Sequence, residues 1–258
     1  MIAGQLNIEI QNRETDAQIG QQRIVAETRI SVGGRAYRQA LYGKGLGLSV
    51  ILLGRTGDDS HGKLIRDTLA KDGISTRYIE EAAAEQTGLC IRIQGADARK
   101  QTFYDPGANL GYINCKTPIE FYLHLCDVAV VNKWCHFEVR KEILAAARSC
   151  AVPNIYVCSG MLTPEEQELP IDYLFLDYSE NDRESIDSIN LKDFSIGKGI
   201  FVFKNGAIHA VAVTGEEIHT MALPPEWNAD QIVSKLMVSI KRGLNLSETM
   251  TLAGELVG

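Results

Sequence analysis

The sequence predicts an α/β protein built on a mostly parallel sheet with helices on both faces. Short apolar runs alternate with stretches of helical periodicity from about residue 48 to residue 241, and strands separated by helices join in parallel through right-handed crossovers. The 258 residues, 45% of them hydrophobic, are enough for one large domain with a sizeable core. The first third of the chain breaks the alternation. There "QLNIEIQ", "RIVAETRISVGG" and "LCIRIQGADARKQTFYD" are extended segments with few helices between them, which suits a small sheet standing off the main one as a lid over a cleft.

The elements follow in order. "LSVILLG" reads as a strand, "HGKLIRDTLAKDG" as a helix ended by Gly73, "CDVAVVN" as a strand and "FEVRKEILAAARSC" as a helix. "NIYVC" and "IDYLFLD" read as strands, and "GIFVFKNG" with "IHAVAVTG" as a hairpin-like pair. In "LPPEWNADQIVSKLMVSIKRGL", Ile232, Val233, Leu236, Met237 and Ile240 share one helical face. Asn228 or Asp230 sits at the start of that helix. A carboxylate there caps the unpaired N–H groups, and a bound phosphate would use the same groups. In open α/β sheets ligands bind at the carboxyl ends of the strands.

Charge and composition exclude several classes. Lys and Arg total 26 against 33 Asp and Glu, a net charge of −7, and no basic run tracks a nucleic-acid backbone. No apolar stretch approaches the roughly 20 residues that span a bilayer. The opening "MIAGQLNIEIQNRET" lacks the pattern of a signal peptide, so a cytoplasmic location is expected, with neither nucleic acid nor membrane as partner. The six cysteines are widely spaced without a C-x-x-C pair and read as reduced, mostly core thiols. "WCHFE" does not read as a metal site, because neighbours on an extended segment point to opposite faces.

An ordered series of motifs remains: "SVGGRAYRQALYGKGLG", "VILLGRTGDDSHGKLIRDTLAKDGIST", "EQTG" and "DPGAN". It resembles the PfkB or ribokinase family of carbohydrate kinases, with Gly33 and Gly34 opening a helix that ends at Leu46-Gly47. Gly54, Gly57, Asp59 and Gly62 stand for the family's glycine-rich segment with its Asp-x-x-Gly ending, followed by Asp72 to Ile74 and Thr87-Gly88. "IAGQLNIEI" is similar to the family's first strand through Gly4 and Asn7, "DYLFLDYSE" to a later segment through Asp172 and Glu180, and "FVFKNG" to another through Gly206. The resemblance implies a single ribokinase-like three-layer α/β/α domain over residues 1–258, with a lid from segments within about 5–32 and 88–105. It also implies transfer of the γ-phosphate of ATP, with Mg²⁺, to a hydroxyl of a small sugar or sugar-like substrate.

By the same resemblance Asp230 is the general base, and the N–H groups of Trp227, Asn228, Ala229 and Asp230 form the anion hole. Asn7, Glu9, Gly33, Gly34 and Arg38 hold the acceptor, Asp177, Lys204 and Gly206 serve the nucleotide, and Glu180, with Asp177 beside it, serves the metal. Two lids pairing across a homodimer is a further expectation, since an exposed edge strand invites such pairing.

Several positions depart from the family pattern. Trp227-Asn228-Ala229 replaces Gly-Ala-Gly, Lys204 replaces Thr, Asp177 replaces Asn and Glu9 replaces Asp. Arg38 replaces Asn, and its planar donor fork favours a carboxylate- or phosphate-bearing ligand unless it points out as a surface charge. The chain stops at "ETMTLAGELVG", earlier than is usual in the family, so an open or incomplete adenine pocket is expected. The alternative is a catalytically impaired relative that keeps the fold as a ligand-binding or regulatory protein.

Overall fold

The computed structural model describes the chain apart from residues 20–21, 98, 115–117, 179–195, 205–206, 213–217, 224–226, 246–247, 250 and 253–258. Seven strands run parallel in one sheet: β1 (Ile2–Ala3), β4 (Leu52–Gly57), β5 (Ile79–Ala82), β8 (Ala129–Asn132), β9 (Asn154–Ser159), β10 (Tyr173–Asp177) and β11 (Gly199–Lys204). An antiparallel pair, β12 (Ala207–Ala212) and β13 (Ile218–Ala222), extends one edge, giving the order β13-β12-β11-β10-β9-β8-β1-β4-β5. The mostly parallel sheet is the one the sequence predicts.

Side chains alternate between two cores along each strand, as a period of two demands. Ile2, Leu52, Val130, Val157 and Phe175 pack on one face with α1 (Arg35–Gly45), α2 (Ser60–Lys71) and α6 (Ala229–Lys241). Ala3, Leu53, Val131, Cys158 and Leu176 pack on the other with α4 (Phe137–Ser149). In α6 the predicted stripe is the buried one, since Ile232, Val233 and Leu236 are fully buried, each contributing about 1.5–3 kcal/mol of apolar burial. None of the described helices is long and apolar enough to cross a membrane.

Two strands depart from the sequence reading. "LSVILLG" was expected to be extended from residue 48, yet β4 begins at Leu52 and runs on through the glycine motif to Gly57, every residue of it buried. The strand tolerates Arg55 at its centre because that guanidinium bonds Ala108 O and reaches Glu80 and Glu85. Beside it, β5 carries the sequence IEEA, too polar and short to show a strand period.

The glycine motif closes on Asp59. As N-cap of α2, its carboxylate accepts from Gly62 N at 2.7 Å, Thr87 Oγ1 at 2.6 Å and Thr87 N at 2.8 Å. Burial pushes its pKa up, but these bonds outweigh burial and hold it below the ordinary value of 3.8. A depressed carboxylate pKa means that this contribution is present above pH 3.8 and lost as pH falls through the folded-state value. Asp59→Ala is expected to lower stability by about 1–2 kcal/mol in urea denaturation at neutral pH, and the difference from wild type is expected to shrink in acid.

The small sheet has the order β3-β2-β6-β7, from β2 (Asn7–Ile19), β3 (Gln22–Gly33), β6 (Gly88–Gln94) and β7 (Lys100–Asp105). Ile30, Ile10, Ile91 and Phe103 stand in register across its outer face, with Ile30 62% and Phe103 57% exposed. The opposite face carries Glu9, Cys90 and Tyr104 in register, with Arg92 two residues along β6 from Cys90.

Candidate active site

The site forms where both sheets meet the N-termini of α1 and α6. Asn132, Ser159 and Asp177 are the last residues of β8, β9 and β10, so three neighbouring strands end here. On α1, Arg35, Arg38 and Gln39 follow at the i, i+3, i+4 spacing that places side chains on one helix face. That face meets Asp230, the second residue of α6.

The question of the α6 cap has a definite answer. Asn228 is the N-cap, its Oδ1 accepting from Asp230 N at 3.0 Å and Gln231 N at 3.1 Å, while Gln231 Oε1 accepts from Asn228 N at 2.9 Å. This reciprocal box spares the Asp230 carboxylate from capping. It also engages the N–H groups of Asn228 and Asp230, two of the four assigned to an anion hole by resemblance. The Trp227 ring stacks on Lys235 Nζ, 3.1 Å from the ring centroid. Burial brings the pKa of Lys235 down to about 8.

Asp230 is buried and held on both oxygens. Oδ2 accepts from Arg38 Nε at 2.7 Å, Oδ1 accepts from Gln39 Nε2 at 3.0 Å, and Arg35 Nη1 lies 3.6 Å from Oδ1. Gln39 is fixed in turn by Asn132, which donates to Gln39 Oε1 at 3.0 Å and to Ala3 O at 3.0 Å. Gly4 leaves the space for that amide, since a Cβ there would lie 2.8 Å from Asn132 Cβ. A relay of two amides thus orients Asp230 from β1 and β8.

Glu9 reaches in from the small sheet. Its Oε1 accepts from Arg38 Nη1 at 2.5 Å and Gly34 N at 3.3 Å, and its Oε2 accepts from Arg92 Nη1 at 3.2 Å. Arg38 therefore points inward and bridges Glu9 to Asp230. Arg35 pairs with Asp177 and donates to Ser159 Oγ at 3.2 Å. Burial works against the charge on both guanidiniums, but the facing carboxylates outweigh it and raise both pKa values, Asp230 leading in each case.

Gly33 and Gly34 shape the recess by different means. A Cβ on Gly33 would lie 2.3 Å from Glu9 Cδ, so its bareness lets that carboxylate lie across the chain. Gly34 has φ of 94° and ψ of 145°, a conformation confined almost wholly to glycine. Asn7 is buried, its Oδ1 accepting from Asn109 Nδ2 at 2.9 Å. Beside it the Tyr104 phenol is pushed up to about 12, chiefly by burial, and stays protonated at neutral pH.

Of the residues placed here by resemblance, Glu9, Gly33, Gly34, Arg38, Asp177 and Asp230 come together. Lys204 ends β11, while Glu180 and Gly206 lie outside the described residues. No group of three or more metal-ligating side chains occurs among the described residues, and Asp177 is engaged by Arg35. Arg35, Gln39, Arg92 and Asn132 were not anticipated. The helical spacing from Arg38 would have found Arg35 and Gln39, whereas Arg92 becomes visible only through the β2–β6 register.

Comparison with known proteins bears on the family and the fold. Residues 1–170 match the family model described as pfkB family carbohydrate kinase. A ribokinase of Arabidopsis thaliana is 27% identical over 142 residues, which is 53% of this chain but only 37% of that curated relative. The structure of Arabidopsis thaliana ribokinase complexed with ribose and ATP superposes with a TM-score of 0.82 at 21% identity, over 98% of this chain and 89% of that one. Ribokinase from Cryptococcus neoformans var. grubii serotype A in complex with ADP gives 0.76 at 20% identity, over 98% and 90%. At such identities the two superpositions speak to the fold. With two thirds of its length matched by the family model, the chain belongs to the pfkB family of carbohydrate kinases.

Proposed function

We propose that the protein transfers the γ-phosphate of ATP to a hydroxyl of a small sugar or sugar-like acceptor, with Asp230 as general base. The observation that carries this reading is the placement of Asp230. It is a buried carboxylate at the start of α6, beside the ends of three parallel strands, freed from capping by Asn228 and oriented by Gln39. Phosphoryl transfer depends on positioning and charge stabilisation more than on covalent help from the protein, and a base fixed by two amides supplies the first. By the family resemblance Glu9, Gly33, Gly34 and Arg38 serve the acceptor, and Asp177 and Lys204 the nucleotide. Closure of the small sheet would exclude water as a competing acceptor. The related ribokinases complexed with ATP or ADP support nucleotide as the donor.

A second reading, a ligand-binding relative without transfer activity, is favoured by one observation. The N–H groups of Asn228 and Asp230 are already used inside the capping box. Calorimetric titration of Mg-ATP into the full chain separates nucleotide-dependent from nucleotide-free function. The kinase reading expects a Kd below about 1 mM, equivalent to roughly −4 kcal/mol or better, and a melting temperature that rises with nucleotide concentration. Absence of heat and of any thermal shift at millimolar Mg-ATP contradicts it.

A further inference from the structure

We infer that the acceptor is an anionic sugar, one bearing a carboxylate or phosphate, whose negative group takes Arg38 from Asp230 and so uncovers the base. The inference rests on the assignment of Glu9 and Asp230 to the acceptor side.

Arg38 stands where an acceptor would have to reach both carboxylates, with Nη1 on Glu9 Oε1 at 2.5 Å and Nε on Asp230 Oδ2 at 2.7 Å. The other two oxygens are also engaged, Glu9 Oε2 by Arg92 and Asp230 Oδ1 by Gln39. A neutral sugar entering this recess would exchange ion pairs, charged on both sides, for hydrogen bonds in which only the protein partner is charged. An anion exchanges like for like. The Arg38 fork releases one carboxylate and accepts another, and the released one is Asp230, whose oxygen is then open to the acceptor hydroxyl. The hydroxyl proton passes to Asp230 as the hydroxyl oxygen bonds the γ-phosphorus of ATP, while the bond from that phosphorus to the β,γ-bridging oxygen breaks and ADP leaves.

A second observation points the same way. Arg35 Nη1 is buried without a hydrogen-bond partner, 3.6 Å from Asp230 Oδ1. Buried donors are seldom left unpaired. Arg35, Arg38 and Arg92 therefore converge on the recess from α1 and β6, and the first of them holds a donor that Asp230 does not satisfy. Planar forks of this kind match carboxylate and phosphate in a way that lysine would not.

The test is calorimetry on the full chain without nucleotide, with ribose, ribonate and ribose 5-phosphate as matched probes and inorganic phosphate as control. The expected result is that ribonate, ribose 5-phosphate or both bind at least tenfold more tightly than ribose and than inorganic phosphate. Arg38→Asn is expected to abolish that preference while still unfolding cooperatively. Ribose binding as tightly as both anions overturns the inference, as does binding of none of the three, or an anion preference that survives in Arg38→Asn. An anion preference shared equally by inorganic phosphate marks occupancy of a general phosphate site and overturns it too. Since no nucleotide is present, anion binding can succeed where phosphotransfer fails. Conversely, transfer to ribose without anion preference would leave the kinase reading standing and this inference overturned.

Discussion

Asp230→Asn is expected to lower kcat for phosphotransfer by about 10²–10⁴-fold, the range that general base catalysis contributes, with Mg-ATP affinity unchanged. Asparagine keeps the shape and can still accept from Arg38 Nε, but it cannot take a proton from the acceptor. Its amide would also set one donor against another, because Oδ1 now receives Gln39 Nε2, and Gln39 is held in place by Asn132 on both of its amide atoms. Part of the loss will therefore appear as stability. Breaking a buried ion pair costs about 3–5 kcal/mol, but Arg38 keeps Glu9 and its side chain is 26% exposed, so a cost nearer 1–3 kcal/mol is expected. Measuring kcat at saturating acceptor alongside the urea midpoint separates the two effects. A well-folded variant with wild-type kcat would remove Asp230 from the role of base.

Gly34→Ala is expected to give the largest loss of stability, roughly 3 kcal/mol or more. Placing a non-glycine residue at this φ and ψ costs about 1–3 kcal/mol by itself. The new Cβ would also stand 2.4 Å from Gln5 O and 3.0 Å from Leu6 Cα, both backbone atoms that cannot turn aside. Relief requires the start of α1 to move, and that turn of helix carries Arg35, Arg38 and Gln39. Stability and acceptor binding should therefore fall together. Gly33→Ala should behave differently, because its Cβ would meet the Glu9 side chain, which can move. There the expected result is weaker acceptor binding with a smaller change in the denaturation midpoint. Equal effects of the two substitutions on stability would contradict the distinct roles assigned to the pair.

Much of the fold was legible because its main strands are buried on both faces and its helices carry a clean apolar stripe. The α6 stripe from Ile232 to Ile240 is a case in point, as is the strand pair of β11 and β12. The edge strand β5 was not legible, since IEEA has no periodicity to read. Nor was the start of β4, whose position is set by pairing with β1 and β5 rather than by its own composition.

The candidate site was legible where local spacing fixes it. Asp230, Gly33, Gly34 and Arg38 could be singled out from short motifs, whereas the inward direction of Arg38 is shown only by the structure, through the carboxylates on either side of it. What the sequence could not show was the partnership among these groups. Glu9 and Arg92 are 83 residues apart and Arg38 and Asp230 are 192 apart, so their pairing is a property of the register between β2 and β6 and of the packing of α1 on α6. The choice of Asn228 over Asp230 as cap was equally hidden, because both residue types are favoured at that position.

The measurement that tests the central claim most directly is transfer of label from γ-labelled Mg-ATP by the wild-type chain, with ribose, ribonate and ribose 5-phosphate each offered as acceptor. The account predicts label in a sugar phosphate with at least one acceptor. Bound Mg-ATP with no label in any acceptor, or label appearing only as inorganic phosphate, would contradict it and leave a nucleotide-binding protein on a kinase scaffold.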